Sequence, residues 1–162
     1  MTNTLKVTTQ GDREIVMTRM FDAPRTLVFD AWTKADLLRR WLWGPEECPL
    51  IFCETDPRVG GKLRLVWRTS CDGKDSEMGM SGVYREIVRP ERLVQTEVFD
   101  QDWTGGEAVV TMIFTERAGK TTLTQTILYS SREARDAVLK TPMEQGCALS
   151  YDRLEGLLVA IA

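Results

Sequence analysis

The sequence predicts an α+β fold in which a curved antiparallel sheet wraps around a long C-terminal helix. Three observations carry this reading. Apolar residues recur at helical spacing between Leu27 and Trp41, switch to a period of two, and return to helical spacing after Pro142. Between the switches lie six strand-like segments joined by short turns, which is the pattern of an antiparallel meander. Such a sheet has one apolar face to cover, and the last helix has an apolar stripe to bury.

The elements follow in order. Residues 1–12 are polar and read as an irregular lead-in. Glu14 to Phe21 is the first strand. Asp22 offers an oxygen to the free N–H groups of a helix start, and Pro24 suits the first turn, where its missing donor is harmless. Leu27, Val28, Ala31 and Trp32 make Pro24 to Trp32 an amphipathic helix. Lys34 to Trp41 is a second short helix with Leu37, Leu38 and Trp41 on one face, stopped by Gly44 and Pro45. The six strands are Pro49 to Asp56, Lys62 to Arg68, Met78 to Val88, Leu93 to Phe99, Ala108 to Arg117 and Thr121 to Tyr129. In the second, Leu63, Leu65 and Trp67 share one face opposite Lys62, Arg64 and Arg68, the mark of a half-buried strand. Ser70 to Glu77 reads as a hairpin loop around Asp72-Gly73, and Asp100 to Gly106 as an exposed loop carrying Trp103. Ser131 opens a short helix to Leu139. Pro142 starts the long helix, whose stripe is Met143, Cys147, Ser150, Leu154, Leu158 and Ile161. No repeat or linker divides the chain, so residues 1–162 read as one domain.

Composition removes several function classes. A net charge of −3 with no basic cluster excludes the footprint of a nucleic-acid binder. No apolar run reaches the roughly 18 residues that span a bilayer, so no membrane segment is expected. The N-terminus lacks the basic start and apolar stretch of a signal peptide, which points to the cytoplasm. Cys48, Cys53, Cys71 and Cys147 form no CxxC pair and read as free thiols. There is no histidine, which excludes Ser-His-Asp and Cys-His catalysis and the usual zinc hydrolase ligand sets. No cofactor or metal is expected.

Six segments in order carry a family resemblance: Arg19 to Trp32 (RMFDAPRTLVFDAW), Trp41 to Pro45 (WLWGP), Asp56 to Gly61 (DPRVGG), Gly82 to Ile87 (GVYREI), Pro90 to Val94 (PERLV), and Met143 to Gly146 (MEQG) followed by Asp152 to Leu154. The chain resembles the START/Bet v-like (SRPBCC) superfamily, and within it the C-terminal domain of the heat-shock-protein ATPase activator. The resemblance covers the chain from about residue 14 to its end. It implies a helix-grip fold with a cavity between the sheet and the last helix. It leaves the chemistry open, because one fold hosts carriers, cyclases and co-chaperone domains. The chain departs from the pattern at Cys147, where an aromatic residue is expected after Gly146. A smaller side chain there leaves more room in the pocket unless a neighbour fills it.

The candidate ligand-binding residues are large and apolar. Trp41 and Trp43 follow the second helix, Leu65 and Trp67 share a strand face, and Trp103 sits in a polar loop. Met80, Met112, Phe114, Met143 and Cys147 extend the same surface, with Tyr84 as a polar tip. Aromatic and thioether side chains suit an apolar ligand of adaptable shape. Core packing is the competing role for each of them except Trp103, which has no obvious core to enter from its polar loop and reads equally as a lid or partner contact. Gln125, Thr96 and Glu97 are further polar groups able to orient a ligand.

Three functions compete. The first is binding or sequestration of a small hydrophobic molecule. The second is a cyclase or hydratase, which needs an acid or base in the pocket. A carboxylate of strongly raised pKa inside the cavity favours it. The third is a co-chaperone-like role with a protein partner, or a homodimer, which calls for an exposed apolar patch.

Overall fold

The computed structural model describes residues 4–71, 74–101 and 105–162. The elements are β1 (Lys6–Gln10), β2 (Glu14–Phe21), α1 (Arg25–Thr33), α2 (Ala35–Leu38), β3 (Leu50–Thr55), β4 (Lys62–Cys71), β5 (Lys74–Val88), β6 (Arg92–Phe99), β7 (Ala108–Arg117), β8 (Lys120–Leu128), α3 (Arg132–Leu139) and α4 (Met143–Ile161). All eight strands form one antiparallel sheet in the order β1-β2-β8-β7-β6-β5-β4-β3. Its concave face holds α4, as the helix-grip expectation requires. Among the described residues no helix is long and apolar enough to cross a membrane.

Four local expectations are corrected. The lead-in contains a strand: Lys6–Gln10 pairs with β2 through a turn in which Gly11 takes φ +60°. Its side chains are exposed apart from partly covered Val7, so an edge strand formed by backbone pairing leaves no apolar alternation to read. Asp22 does not cap α1. The carboxylate of Glu116 on β7 accepts from the Arg25 N–H at 2.7 Å instead. The presumed loop from Ser70 to Glu77 is largely ladder, because β4 and β5 stay in register as far as Cys71 opposite Lys74. Polar residues continue a two-stranded ribbon past the edge of the core, where hydrogen bonding needs no buried face. The second helix is also shorter than expected, ending at Leu38 and continuing as turns to Leu42.

The core lies between the concave face and the helices. Ile15, Met17, Arg19 and Phe21 point inward from β2, and Ala108, Val110, Met112 and Phe114 from β7. Arg19 is a guanidinium in that face, only 4% exposed. It donates to Asp152 of α4 at 2.7 Å, has Glu155 at 3.9 Å, and lies 5.2 Å from the Phe21 ring centroid. At the other end of the elements Ser131 caps α3 by accepting from the Ala134 N–H at 3.0 Å. The thiols of Cys48, Cys53 and Cys147 are free.

The helix stripe is buried through Ser150, Tyr151, Leu154, Leu157 and Leu158. Leu154 has no exposed surface, whereas Leu149 on the opposite face is 46% exposed. Leu154→Ala is expected to cost about 2–5 kcal/mol in urea denaturation, and Leu149→Ala under about 0.5 kcal/mol. Equal losses at the two positions would mean that α4 is not seated as described.

Candidate functional site

The two halves of α4 meet the sheet differently. Leu154 and Leu158 close the C-terminal half against it. In the N-terminal half Met143, Cys147, Ser150 and Tyr151 face the sheet across a gap, a cavity of about 200 Å³. Leu65 and Trp67 of β4, Met80 of β5, Glu97 and Phe99 of β6, and Ile127 of β8 form its floor. Register brings them together: Leu65 opposes Met80, and Met80 opposes Phe99. Trp32 closes one side, with its indole N–H buried and unpartnered among the described groups.

The gap lies at this end because α1 fills the other. Phe29 of α1 meets Phe114 edge-on at 5.2 Å, within the apolar core. Trp41 wedges in beside it, its indole N–H donating to the Ala31 carbonyl at 3.0 Å and its ring 4.6 Å from Trp32. The sequence-predicted residues divide accordingly. Leu65, Trp67, Met80, Met143 and Cys147 line the cavity. Met112 and Phe114 point inward but lie further along β7, under α1 and in the packed core. Trp41 is core. Trp43 lies beneath the Arg153 guanidinium, 4.1 Å from its ring centroid. Tyr84 is buried near Cys53 and Asp56, outside the cavity, and burial pushes its hydroxyl pKa well up. Trp103 lies outside the described residues. The spacing left strand parity open near bulges, and parity carries no information on position along a strand.

Among the polar candidates, Thr96 is committed to the sheet: its hydroxyl accepts from the Val83 N–H at 2.9 Å where β5 bends. Gln125 and Glu97 reach the cavity, joined by Gln95 and Tyr129. Gln125 accepts from the Tyr151 hydroxyl at 2.7 Å. Tyr151 was legible, since it stands four residues after Cys147, but Ser150 satisfies helical spacing equally well. Gln95 and Tyr129 share inward parity with Glu97 and Ile127. A polar residue at an inward position was the available signal.

Glu97 dominates the electrostatics. It is half-buried, and it lines the cavity. Desolvation raises its pKa from 4.5 to about 7, partly offset by a hydrogen bond from the Gln95 side chain. Among the described residues no Lys or Arg forms an ion pair with it. The opposing residue on β7 is Ala108, which leaves room above the carboxyl. Burial also holds Cys147 neutral, its thiol pushed up to about 12. Among the described residues no group of Cys, Asp and Glu is placed to hold a metal ion.

The raised pKa sets a pH dependence of stability. The folded state holds the Glu97 proton more tightly than the unfolded chain, so stability is lost as pH rises from about 4.5 to about 7. Glu97→Gln removes that loss. It is expected to stabilise the protein by roughly 3 kcal/mol at pH 8 and hardly at all at pH 4. Thermal melts of both proteins across this range check it, and an equal effect at the two pH values would refute the burial of the charge.

The sequence profile of the family described as Activator of Hsp90 ATPase homolog 1-like protein matches residues 22–159. No curated protein matches the sequence. Solved structures share the fold closely. A protein from Rhodobacter sphaeroides is 29% identical over 97% of this chain and 99% of its own, with a TM-score of 0.88. One from Mycobacterium smegmatis is 22% identical over 97% of both chains, with a TM-score of 0.82. One from Nitrosomonas europaea is 18% identical over 93% of this chain and 97% of its own, with a TM-score of 0.80. The profile match spans most of the sequence, and the chain belongs to the Activator of Hsp90 ATPase homolog 1-like family.

Proposed function

We propose that the protein binds and sequesters a small, mainly apolar molecule in the cytoplasm, in the cavity between the sheet and the N-terminal half of α4. The supporting observation is the lining itself: aromatic, aliphatic and thioether side chains around a few convergent polar groups. An apolar space left unfilled costs about 24 cal/mol per Å³ in one well-studied series, so an occupant of matching shape is favoured. The outer surface gives less support to a protein partner. Ile51 and Phe52 are exposed side by side on the β3 edge, but the remaining exposed apolar residues are distributed over other elements.

Cys147→Trp tests the reading, because it fills the cavity from the helix side. The variant is expected to bind the neutral dye N-phenyl-1-naphthylamine at least about tenfold more weakly, a loss of roughly 1.4 kcal/mol, with an unchanged circular dichroism spectrum. Unchanged dye binding by a folded variant would sink the assignment of this cavity as the site.

Glu97 favours a second reading. A carboxyl that titrates near 7 inside an apolar pocket is suited to general acid–base chemistry of the cyclase or hydratase type. Native mass spectrometry of protein purified from its own cell separates the two. A co-purified molecule that persists unchanged supports sequestration. Its conversion, abolished by Glu97→Gln, supports catalysis.

A further inference from the structure

We propose that the occupant of this cavity is an amine, bound as its ammonium ion against Glu97, with an apolar body of about one ring and a short chain. The inference rests on the cavity being the ligand site and adds the chemical class of the ligand.

The first argument is charge. Among the described residues the lining contains one carboxylate and no Lys or Arg. A carboxylate without a cation is the costly state of a buried acid, and among the described residues Glu97 has a hydrogen bond from Gln95 but no Lys or Arg ion-paired with it. An anionic ligand would add a second negative charge beside the first. A cationic group provides the missing counter-ion, and the small Ala108 opposite Glu97 leaves room for it. The second argument is independent of the first. Trp32, Trp67, Phe99, Tyr129 and Tyr151 all border the cavity, and aromatic faces attract ammonium groups. The third is size. An apolar cavity of about 150 Å³ accommodates benzene, so about 200 Å³ takes a ring extended by a few atoms.

The proton balance follows. At pH 5 free Glu97 is protonated, and an ammonium ion binds by displacing that proton to solvent. The groups packed around Glu97 do not titrate in this range. Cys147 and Tyr151 of α4 and Tyr129 after β8 are all held neutral by burial, their pKa values raised above the ordinary ones. Gln95 and Gln125 carry no charge. Arg19, which influences Tyr151, is already paired with Asp152.

Isothermal titration with 3-phenylpropylamine, 3-phenylpropan-1-ol and 3-phenylpropanoate provides the test, since the three differ mainly in the charge of the head group. The amine is expected to bind at least about tenfold more tightly than the alcohol at pH 8, with the carboxylate weakest. Its affinity should fall by up to about tenfold for each pH unit below 7, with proton release, while the alcohol stays flat. Glu97→Gln, verified as folded by circular dichroism, should bring amine and alcohol to equal affinity. The pH series on the unaltered protein does not depend on that variant. Alcohol binding as tight as amine binding, or amine binding independent of pH, would overturn the amine assignment. If the alcohol is bound and lost in Cys147→Trp, the cavity remains the site and only the amine class falls. Failure of the amine to bind overturns the inference whatever the other compounds do.

Discussion

A single guanidinium in the concave face fixes where the last helix lies. Arg19 is buried on β2, between Ile15, Met17 and Phe21, where an unpaired charge would be strongly destabilising. Its partner Asp152 and the nearby Glu155 both belong to α4. The pairing therefore holds one turn of α4 at one level of the sheet. C-terminal to that level, Leu154, Leu157 and Leu158 close on the sheet as ordinary core. N-terminal to it Tyr151 reaches from the helix to the sheet, its hydroxyl donating to Gln125 of β8 and its ring 6.1 Å from that of Phe21. The cavity is the remainder of that arrangement, set by geometry as much as by any lining residue.

Much of the fold was legible because burial leaves a periodic trace. The switch between helical and alternating spacing located β2 and β8 to within a residue or so. Where burial was absent the trace was absent too. β1 and the outer halves of β4 and β5 are held by backbone pairing, and their polar side chains look like loop. The missed cap has a different cause: Glu116 reaches the start of α1 from 91 residues away in sequence. No local pattern contains that contact.

The site was legible in face but not in depth. Met112 and Cys147 both point inward, yet one is core and the other borders the cavity. α1 marks the difference: its Phe29 packs on Phe114, the next inward residue after Met112 on β7, while its Trp32 borders the cavity. That is a tertiary fact. The polar groups divide in a similar way. Thr96 and Ser150 spend their hydroxyls on nearby backbone. Gln125 is held by Tyr151. Glu97 has no Lys or Arg ion-paired with it among the described residues, which sets it apart from Thr96, Ser150 and Gln125.

Arg153 ties the helix to a segment far from it in sequence. Its guanidinium donates to the carbonyls of Trp43 and Gly44 and covers the Trp43 ring. Gly44 sits so close to Gly146 that an added Cβ would come within 3.1 Å of the Gly146 Cα. The strip after α2 and the helix are thus latched together, and Leu42 and Met143 on the two sides of the latch both border the cavity. A displacement of the helix end that widens the gap must either carry this strip with it or break the Arg153 contacts. The wall of the cavity made by the N-terminal half of α4 and this strip is thereby a composite panel, fastened in part by Arg153, a side chain that is not among the residues lining the space.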